Sequence, residues 1–440
     1  MVTYIFTGIL VCMVLGLAFE EKLHAKKSLI TGVTAVVALF AGAAFEIFEH
    51  GHGGGHMPFF IPFIDWDVIL IILGSSLFVD IVSRSGIFSW TAISLTRLSK
   101  GDPVKLLIFY AVLTVLFSAF LNNVTAMIIV GSLTAVSLER LEQQDKLLGF
   151  LLTEGLLTNI GGLLTLISSV PNIIVGQRAG ISFVEFFLMA SPYVVVATIV
   201  TLIMAKFAFG IQGLKTPEQK AAAAAKVEAF DPSDGIESRG FFVFSWFAFS
   251  LLILLFALDS VLPVFKDLGL GFLAMAFAFL MLIKYRHDVD KNYKALDWDL
   301  LFFFATLFCV IGVMEAAGVL KLIGQGISSL IALGDTAGPM ALLWGSAIMS
   351  SVTDNIPLAA MLANILGGME NVEPSLWWCV IFGANLGGNI TPIGSASTVV
   401  AVTIIHKNKL KLTFPQFVKA AVPFAFLQLV VASGYILLMF

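Results

Sequence analysis

The residues that could do chemistry are polar groups in the middle of long apolar runs. The clearest case is 350–357, which contains Asp354, Asn355 and the helix-breaking Pro357. An ionisable group at membrane depth costs roughly 2.5–3.5 kcal/mol, and a broken helix leaves backbone groups that lipid cannot satisfy. Such features are tolerated where they line a polar cavity. We therefore expect an ion or substrate site around Asp354 and Asn355.

Three further polar breaks interrupt the apolar runs at 122–125, 159–172 and 385–398. Their glycines permit unwound backbone, and short helices ending there would aim N–H groups or carbonyls at one point. The amide and hydroxyl oxygens resemble the shell of a hard cation such as sodium. The alternative is that these side chains only hold helices together. The expected ion or substrate ligands are Asn122, Asn123, Thr125, Asn159, Ser169, Asn172, Asp354, Asn355, Asn385, Asn389, Thr391, Ser395 and Ser397. For sodium itself we expect Asn123, Asp354 and Asn355.

Two acids inside apolar runs, Asp354 and Glu154, are the candidates for proton coupling. Exchange of a cation for a proton needs a group that alternates between a charged and a protonated form. Asp354 is the better candidate because it lies within a polar break. Glu154 is either a second titrating site or the partner of a basic residue near the end of its segment.

The sequence contains no zinc-protease HExxH, no GxSxG and no phosphate-binding GxxxxGK[ST] motif. The three cysteines lack metal-ligand spacing. The loop with His50, His52 and His56 could bind a transition metal, but a flexible external loop is the simpler interpretation. We therefore expect a protein that is not an enzyme and has no cofactor. A sodium ion is expected as the transported or coupling ion.

The chain that positions these groups is strongly apolar. Of its 440 residues 59% are hydrophobic and 12% are charged, and the mean hydropathy is +0.98. Soluble domains carry about 25% charged residues. Apolar runs near 20 residues, which suit a hydrocarbon core of about 30 Å, recur from end to end. The sequence therefore predicts an all-α polytopic protein of an inner or plasma membrane, surrounded by lipid, with no nucleic-acid partner.

Four apolar segments do not read as simple membrane crossings. Segments 147–177 and 376–406 carry Pro, Gly and Asn in mid-run, so we expect broken helices there. Segments 103–138 and 338–369 are expected to be re-entrant hairpins with polar tips. Each half of the chain therefore contains one hairpin and one broken helix.

A change in composition at 212–240 separates a first half, 1–211, from a second half, 241–440. This stretch is expected to be a cytoplasmic linker with a short surface helix through the alanine run at 221–225. With the N-terminus outside and both hairpins re-entrant, the predicted cytoplasmic loops hold nearly all of the 25 Lys and Arg residues, as the positive-inside rule requires. We therefore expect the N-terminus outside and the linker in the cytoplasm.

The two halves are related by a repeat. Residues 65–67 recur as residues 297–299, and Asn122-Asn123 falls on Asp354-Asn355 at the same spacing. Further on, 159–162 matches 385–388. The charge-based topology places the repeats in opposite directions, and inverted repeats put a shared site near the midplane of the membrane.

The four polar breaks resemble those of the ion transporter superfamily, in the group that contains NhaD-type sodium/proton antiporters, ArsB-type arsenite permeases and the pigment-cell P protein. The residues that carry this resemblance are 121–125, 159–162, 169–174, 353–357 and 383–397. The resemblance implies scaffold helices plus two opposed hairpins, a homodimer, and elevator-like movement. Relatives often carry aspartate where this chain has Asn122, and near Ser169.

The sequence thus predicts a secondary transporter that works by alternating access. Sodium/proton antiport is the leading hypothesis, because Asp354 lies among oxygen ligands and the four breaks contain no Lys or Arg. Efflux of arsenite or a similar neutral oxyacid would need no fixed positive charge and stays open. Sodium-coupled uptake of a carboxylate also stays open, since bound sodium would supply the positive field.

Overall fold

The computed structural model describes residues 1–48, 58–259 and 263–440. The predicted histidine loop, with His50, His52 and His56, falls outside these residues. Throughout the described ranges the regular elements are helices. Seven of these helices are long and apolar enough to cross a membrane, and an eighth span results if the bent pair Leu268–Lys284 and Arg286–Ala295 counts as one. The expectation of an all-α polytopic membrane protein is confirmed.

The first half and the linker contain eleven of the helices. They are α1 (Val2–Ala18), α2 (Glu20–Leu23), α3 (Lys27–Ala44), α4 (Trp66–Ser83), α5 (Ile87–Ser99), α6 (Pro103–Phe120), α7 (Asn123–Arg140), α8 (Leu147–Gly161), α9 (Val170–Ala179), α10 (Phe183–Ala208) and α11 (Pro217–Glu228).

The second half contains α12 (Arg239–Leu258), α13 (Pro263–Lys284), α14 (Val289–Ala295), α15 (Trp298–Ala316), α16 (Val319–Ile331), α17 (Ala337–Val352), α18 (Asn355–Gly367), α19 (Pro374–Gly387), α20 (Ala396–Lys407) and α21 (Phe414–Met439).

The repeated Asp-Trp-Asp motif marks the start of a helix in each half. Asp65 accepts a hydrogen bond from the Val68 N–H (3.2 Å) and caps α4, and Asp297 accepts one from the Leu300 N–H (3.0 Å) and caps α15. A side-chain oxygen at this position satisfies a backbone donor that the helix itself leaves free. The recurrence of the motif therefore has a structural cause, because both halves begin a membrane-length helix in the same way.

The helices α5 and α16 occupy equivalent positions in the two halves, and neither was predicted from the apolar segments of the sequence. Each has 13 residues and begins after a glycine with positive φ, Gly86 (84°) or Gly318 (74°). At 1.5 Å per residue such a helix is about 20 Å long, too short to cross the hydrocarbon core. A search for runs near 20 residues therefore misses both.

Each of the four unusual segments is divided into two helices. The segment 103–138 divides at Leu121-Asn122 into α6 and α7, and 338–369 divides at Thr353-Asp354 into α17 and α18. The segment 147–177 is interrupted between α8 and α9, and 376–406 between α19 and α20. The polar breaks of the sequence are therefore the places where helices end and new ones begin.

Glycines at these breaks allow helices to approach closely. α6 packs on α8 and α17 packs on α19. A Cβ atom on Gly161 would lie 2.7 Å from the Val115 Cα, and one on Gly387 would lie 2.3 Å from the Ala347 carbonyl oxygen. Real Cβ atoms do not come so near, so only glycine permits this backbone contact at the two equivalent positions.

The linker contains the expected surface helix, α11. Thr216 and Gln219 form a capping box at its first turn. Lys226 pairs with Glu142 (2.5 Å), and α11 packs on α5. The linker is thus attached to the first half by its own helix and is not an extended chain.

Side-chain contacts join α3 to α15. Thr31 and Thr306 share a hydrogen bond (2.7 Å), and Ser28 donates to Asp299. α4 packs closely on α13. These four helices form a scaffold. Within it, α4 contacts α9 and α15 contacts α18, next to the polar breaks.

The predicted orientation is testable with single cysteines in a background in which Cys12, Cys309 and Cys379 are replaced by serine. A cysteine at Ser233, in the linker, is expected to react only with reagents on the cytoplasmic side. A cysteine at Gly180, in the loop after α9, is expected to react only from outside. Labelling of both positions from the same side would contradict the inverted arrangement of the halves.

Candidate ion and substrate site

The tips between paired helices are capped by the residues that the sequence singled out. Asn122 accepts a hydrogen bond from the Thr125 N–H (2.9 Å) and caps α7. At the equivalent position Asp354 accepts one from the Ile356 N–H (3.0 Å) and caps α18. The first role of both side chains is therefore to satisfy the free N–H groups of a helix that begins inside the protein.

Each tip is attached to the broken helix of its own half by equivalent hydrogen bonds. Ser118 donates to the Thr158 carbonyl, and its counterpart Ser350 donates to the Ala384 carbonyl, both at 2.6 Å. Thr391 donates to the Ser351 carbonyl (2.6 Å), and Thr165 donates to the Ala119 carbonyl in the same way. The repeat seen in the sequence therefore extends to individual hydrogen bonds.

A second set of hydrogen bonds crosses from one half to the other. Asn159 donates to Ser395 (3.0 Å) and accepts from Ser397 (3.1 Å). In the reciprocal pair Ser169 donates to Asn385 (2.8 Å), which in turn donates to Asn172 (2.9 Å). All of these side chains are buried. Asn159 of α8 and Asn385 of α19 thus each bind the loop of the opposite half.

Asn389 extends this network to a residue that the sequence analysis missed. Its side-chain oxygen accepts from Asn159 and its nitrogen donates to Gln428, both at 2.9 Å. Gln428 is fully buried in α21 and also donates to Thr201 (3.0 Å). In the sequence, Gln428 could have been recognised as a single glutamine inside an otherwise apolar run.

The helices α7, α9, α18 and α20 all begin at one cavity of about 100 Å³, called here the central cavity. Six of the predicted ligands line it: Asn122, Asn123, Ser169, Asn355, Ser395 and Ser397. Ser75 and Ser76 of α4 line it as well, although nothing in the sequence marked them as site residues.

The electrostatics of the central cavity come from the backbone. None of the described residues that line it has a charged side chain. Each helix N-terminus carries free N–H groups and the equivalent of roughly half a positive charge. Four such ends around one space make the cavity positive without any Lys or Arg.

The remaining predicted ligands lie away from the central cavity. Thr125 lines a neighbouring cavity of about 150 Å³, the vestibule, which shares Ser75, Ser76 and Asn122 with the central cavity and continues to Asp80 and Asp297. The deeper residues Asn159, Asn172, Asn385, Asn389 and Thr391 are not part of the cavity lining and belong to the hydrogen-bond network behind it.

A third cavity, of about 510 Å³, lies at the other end of α9. Gln177 and Arg178 from the last turn of this helix line it, together with Asp65 and Glu315. The first turn of α9, with Val170, lines the central cavity. α9 therefore lies between the central cavity and the third cavity, whereas the vestibule adjoins the central cavity directly.

Asp354 has a partner that the sequence analysis did not connect to it. Its carboxylate forms an ion pair with Lys27, the first residue of α3, and the Asp354 side chain is only 9% exposed. The charge-based topology counts Lys27 only among the lysines of a cytoplasmic loop. The two lie 327 positions apart, so the contact exists only through the fold. The pair joins the tip that carries Asn355 to the scaffold helix α3.

Glu154 lies apart from both the central cavity and Asp354. It is buried in α8 and accepts a hydrogen bond from Thr134 (2.6 Å). The alternative in which Glu154 pairs with a basic residue is not observed, since no ion pair within the described ranges includes it.

Apolar helices that meet at a polar cavity lined by uncharged side chains define a class of protein, the multi-pass membrane transporter. A solved structure shares this architecture: the YdaH transporter of Alcanivorax borkumensis aligns with a TM-score of 0.61 over 93% of this chain and 97% of that one, at 13% identity. At so low an identity the likeness concerns the fold alone.

Sequence relatives place the chain more narrowly. A family model described as citrate transporter matches residues 14–383, so the chain belongs to the citrate transporter family. It is 29% identical over 424 residues to an uncharacterized transporter, Rv2684, of Mycobacterium tuberculosis, covering 95% of this chain and 94% of that one. It is 23% identical to the human P protein over 86% of this chain and 54% of that one. The predicted membership of the ion transporter superfamily is confirmed.

The Lys27–Asp354 pair is testable by a double-mutant cycle. Lys27→Gln and Asp354→Asn should each lower the free energy of unfolding by roughly 2 kcal/mol, because each removes one partner of a largely buried ion pair. After Asp354→Asn, Lys27 keeps only the more distant Glu20 carboxylate at 3.8 Å. The double variant should recover most of this loss, since asparagine also caps helices well. Melting temperatures of the purified protein in detergent measure the effect.

The exposed pair Lys291–Asp288 (2.7 Å) provides the matched control. Its double variant, Lys291→Gln with Asp288→Asn, should melt at the wild-type temperature, because exposed ion pairs contribute little. Equal melting temperatures for wild type and both Lys27 and Asp354 single variants would show that the pair contributes nothing to stability.

Proposed function

We propose that this protein is a secondary active transporter that carries a small carboxylate anion. The observation that carries this proposal is the meeting of four helix N-termini at the central cavity. Carboxylates are favoured at such ends, because free N–H groups donate to their oxygens and the helix dipoles attract negative charge. Membership of a citrate transporter family supports the same class of substrate.

The proposal ranks carboxylate transport above sodium/proton antiport, which was the leading hypothesis from the sequence. Antiport through Asp354 requires a carboxylate that is free to bind a cation, whereas Asp354 is paired with Lys27. A bare cation would also meet the positive ends of four helices. Efflux of a neutral oxyacid such as arsenite makes no use of this positive field.

Sodium enters the proposal as a coupling ion beside the anion. The tip side chains Asn123 and Asn355 offer amide oxygens close to unwound backbone, which suits a hard cation. Asp354 caps the same tip as Asn355, with its carboxylate paired with Lys27. A cation bound there would offset the charge of the substrate, so that the loaded site crosses the membrane with less net charge.

The cavities suggest how access could alternate. The central cavity adjoins the vestibule, whereas α9 separates it from the third cavity. We propose that movement of the two hairpins and broken helices against the scaffold exchanges these connections, in an elevator-like manner. Assembly as a homodimer remains a prediction from the family resemblance.

The direct test is counterflow of labelled citrate in proteoliposomes that contain the purified protein. Vesicles preloaded with unlabelled citrate should take up external label faster than protein-free vesicles, and other small carboxylates should compete. Arsenite should compete poorly. Uptake of labelled sodium with no response to citrate would favour antiport and would exclude the proposed substrate class.

Asn355 provides a test of the cavity itself. Asn355→Ala removes a polar group from the cavity lining and should raise the KM for citrate about tenfold, the loss expected for one hydrogen bond to a charged group. The control is Asn408→Ala, an exposed asparagine at the end of α20 that bonds to its own helix. Counterflow kinetics measure both. An unchanged KM for Asn355→Ala would place the substrate elsewhere.

A further inference from the structure

Glu154 is a buried carboxyl group with incomplete hydrogen bonding. Its side chain is 1% exposed. One carboxyl oxygen accepts from the Thr134 hydroxyl (2.6 Å), and the other is buried without a hydrogen-bond partner among the described residues. The repeat-equivalent position holds Val380, so the symmetric architecture does not require an acid here.

Within the described part of the chain, no charged group pairs with Glu154. Tyr110 of α6 is the titratable side chain that faces it. The charged groups on the elements packed against α8, with His406, lie near the ends of those elements: Lys105, Glu139, Arg140, Asp145, Lys146, Glu185, Lys206, His406, Lys407 and Lys419. The other uncharged titratable groups on these elements are Tyr193, Cys379 and Tyr435. Of the charged groups, Lys146 pairs with Asp145 and none pairs with Glu154. An ionised carboxylate so placed would cost several kcal/mol, whereas the protonated form avoids that cost.

Buried hydroxyl groups lie between Glu154 and the loop before α6, in which Gly101 is buried and Lys100 is exposed. Thr134 contacts the carboxyl group, and Ser137 lies one turn further along α7. Ser137 is hydrogen-bonded to the Tyr110 hydroxyl (2.8 Å), which is also hydrogen-bonded to Thr96 (2.9 Å). Ser99, one turn after Thr96, accepts from the Gly101 N–H (3.1 Å) at the loop before α6.

We propose that a proton accompanies the substrate in addition to sodium, that Glu154 binds this proton, and that this row of hydroxyl groups is its route to water near the exposed Lys100. The inference rests on the proposed function as a secondary active transporter. A proton from water would enter the row and pass between Thr96, Tyr110 and Ser137 along their hydrogen bonds, and a water molecule would bridge the steps of one helical turn at Ser99 and at Thr134. The Glu154 carboxylate would thereby become a neutral carboxyl. Release runs in the opposite direction.

The position of Glu154 connects the proton to the substrate site. Asn159, five residues later on α8, belongs to the network that holds the loop of the opposite half. Thr158, between them, donates to the Glu154 carbonyl and accepts from Ser118 near the first tip. A charge change on Glu154 therefore occurs on the same rigid helix that supports the central cavity.

A purely structural role is the competing explanation, in which the Thr134–Glu154 bond only joins α7 to α8. The two roles differ in proteoliposomes. Counterflow of labelled citrate needs no net proton movement, whereas accumulation driven by an imposed pH gradient does. Glu154→Gln keeps the size of the side chain and a hydrogen-bond acceptor for Thr134, so it removes only the proton-binding function.

We expect Glu154→Gln to keep counterflow near the wild-type rate and to lose accumulation driven by the pH gradient. Tyr110→Phe should keep counterflow and slow that accumulation. Tyr435→Phe is the matched control, because its hydroxyl is bonded elsewhere, to the Met189 carbonyl, and both assays should be unchanged. Infrared spectra of the reconstituted protein should contain a carboxylic-acid C=O band that Glu154→Gln removes.

Accumulation that survives in Glu154→Gln would overturn the proposal. Equal loss of counterflow and accumulation would assign Glu154 a structural role and also overturn it. If wild type shows no citrate counterflow, the proposed substrate fails, and the infrared band then decides the proton site independently. Absence of that band in wild type would show that Glu154 does not hold a proton.

Discussion

The structure depends on the need to satisfy backbone polar groups where helices break inside an apolar protein. Lipid offers them no partner, so each broken end must find one within the chain. The tips obtain theirs from cap residues such as Asn122, and serines of the hairpins such as Ser350 donate to a carbonyl of the neighbouring broken helix. Asn159 and Asn385 then hold the loops of the opposite half. The groups that satisfy the breaks are thus the groups that surround the site.

Much of this arrangement could be predicted because it follows from local chemistry. Helix breaks require residues with backbone freedom or capping ability, so the polar breaks at 122–125 and 353–357 were visible in the sequence as exceptions within apolar runs. The repeat was visible because both halves meet the same constraint with the same residue types. The equivalent hydrogen bonds of Ser118 and Ser350 show that the match at the sequence level reflects matched contacts.

The features that were missed depend on contacts that no local pattern encodes. The Lys27–Asp354 pair joins residues from opposite halves of the chain, and in the sequence nothing distinguishes Lys27 from the other loop lysines. Ser75 and Ser76 lie on an apolar helix, where a serine commonly bonds to its own backbone, as Ser75 does. Their place at the central cavity follows only from how α4 packs. Which predicted ligands line the central cavity and which lie behind it likewise depends on the tertiary structure.

The differences between the halves explain how a symmetric scaffold can carry directional chemistry. Where the repeat is kept, at Ser169 and Ser395 for example, the residues line the cavity and leave it without charged side chains. The two acids that break the repeat, Asp354 and Glu154, are absent from that lining. One is paired with the scaffold and the other is buried in α8. Under the proposed function, a cavity without charged side chains between positive helix ends would bind the anion from either side, so a preference for direction would come from these asymmetric groups. A charged group beside the cavity would change the free energy of moving the helices. It would thereby affect the transport cycle without competing with the substrate for its ligands.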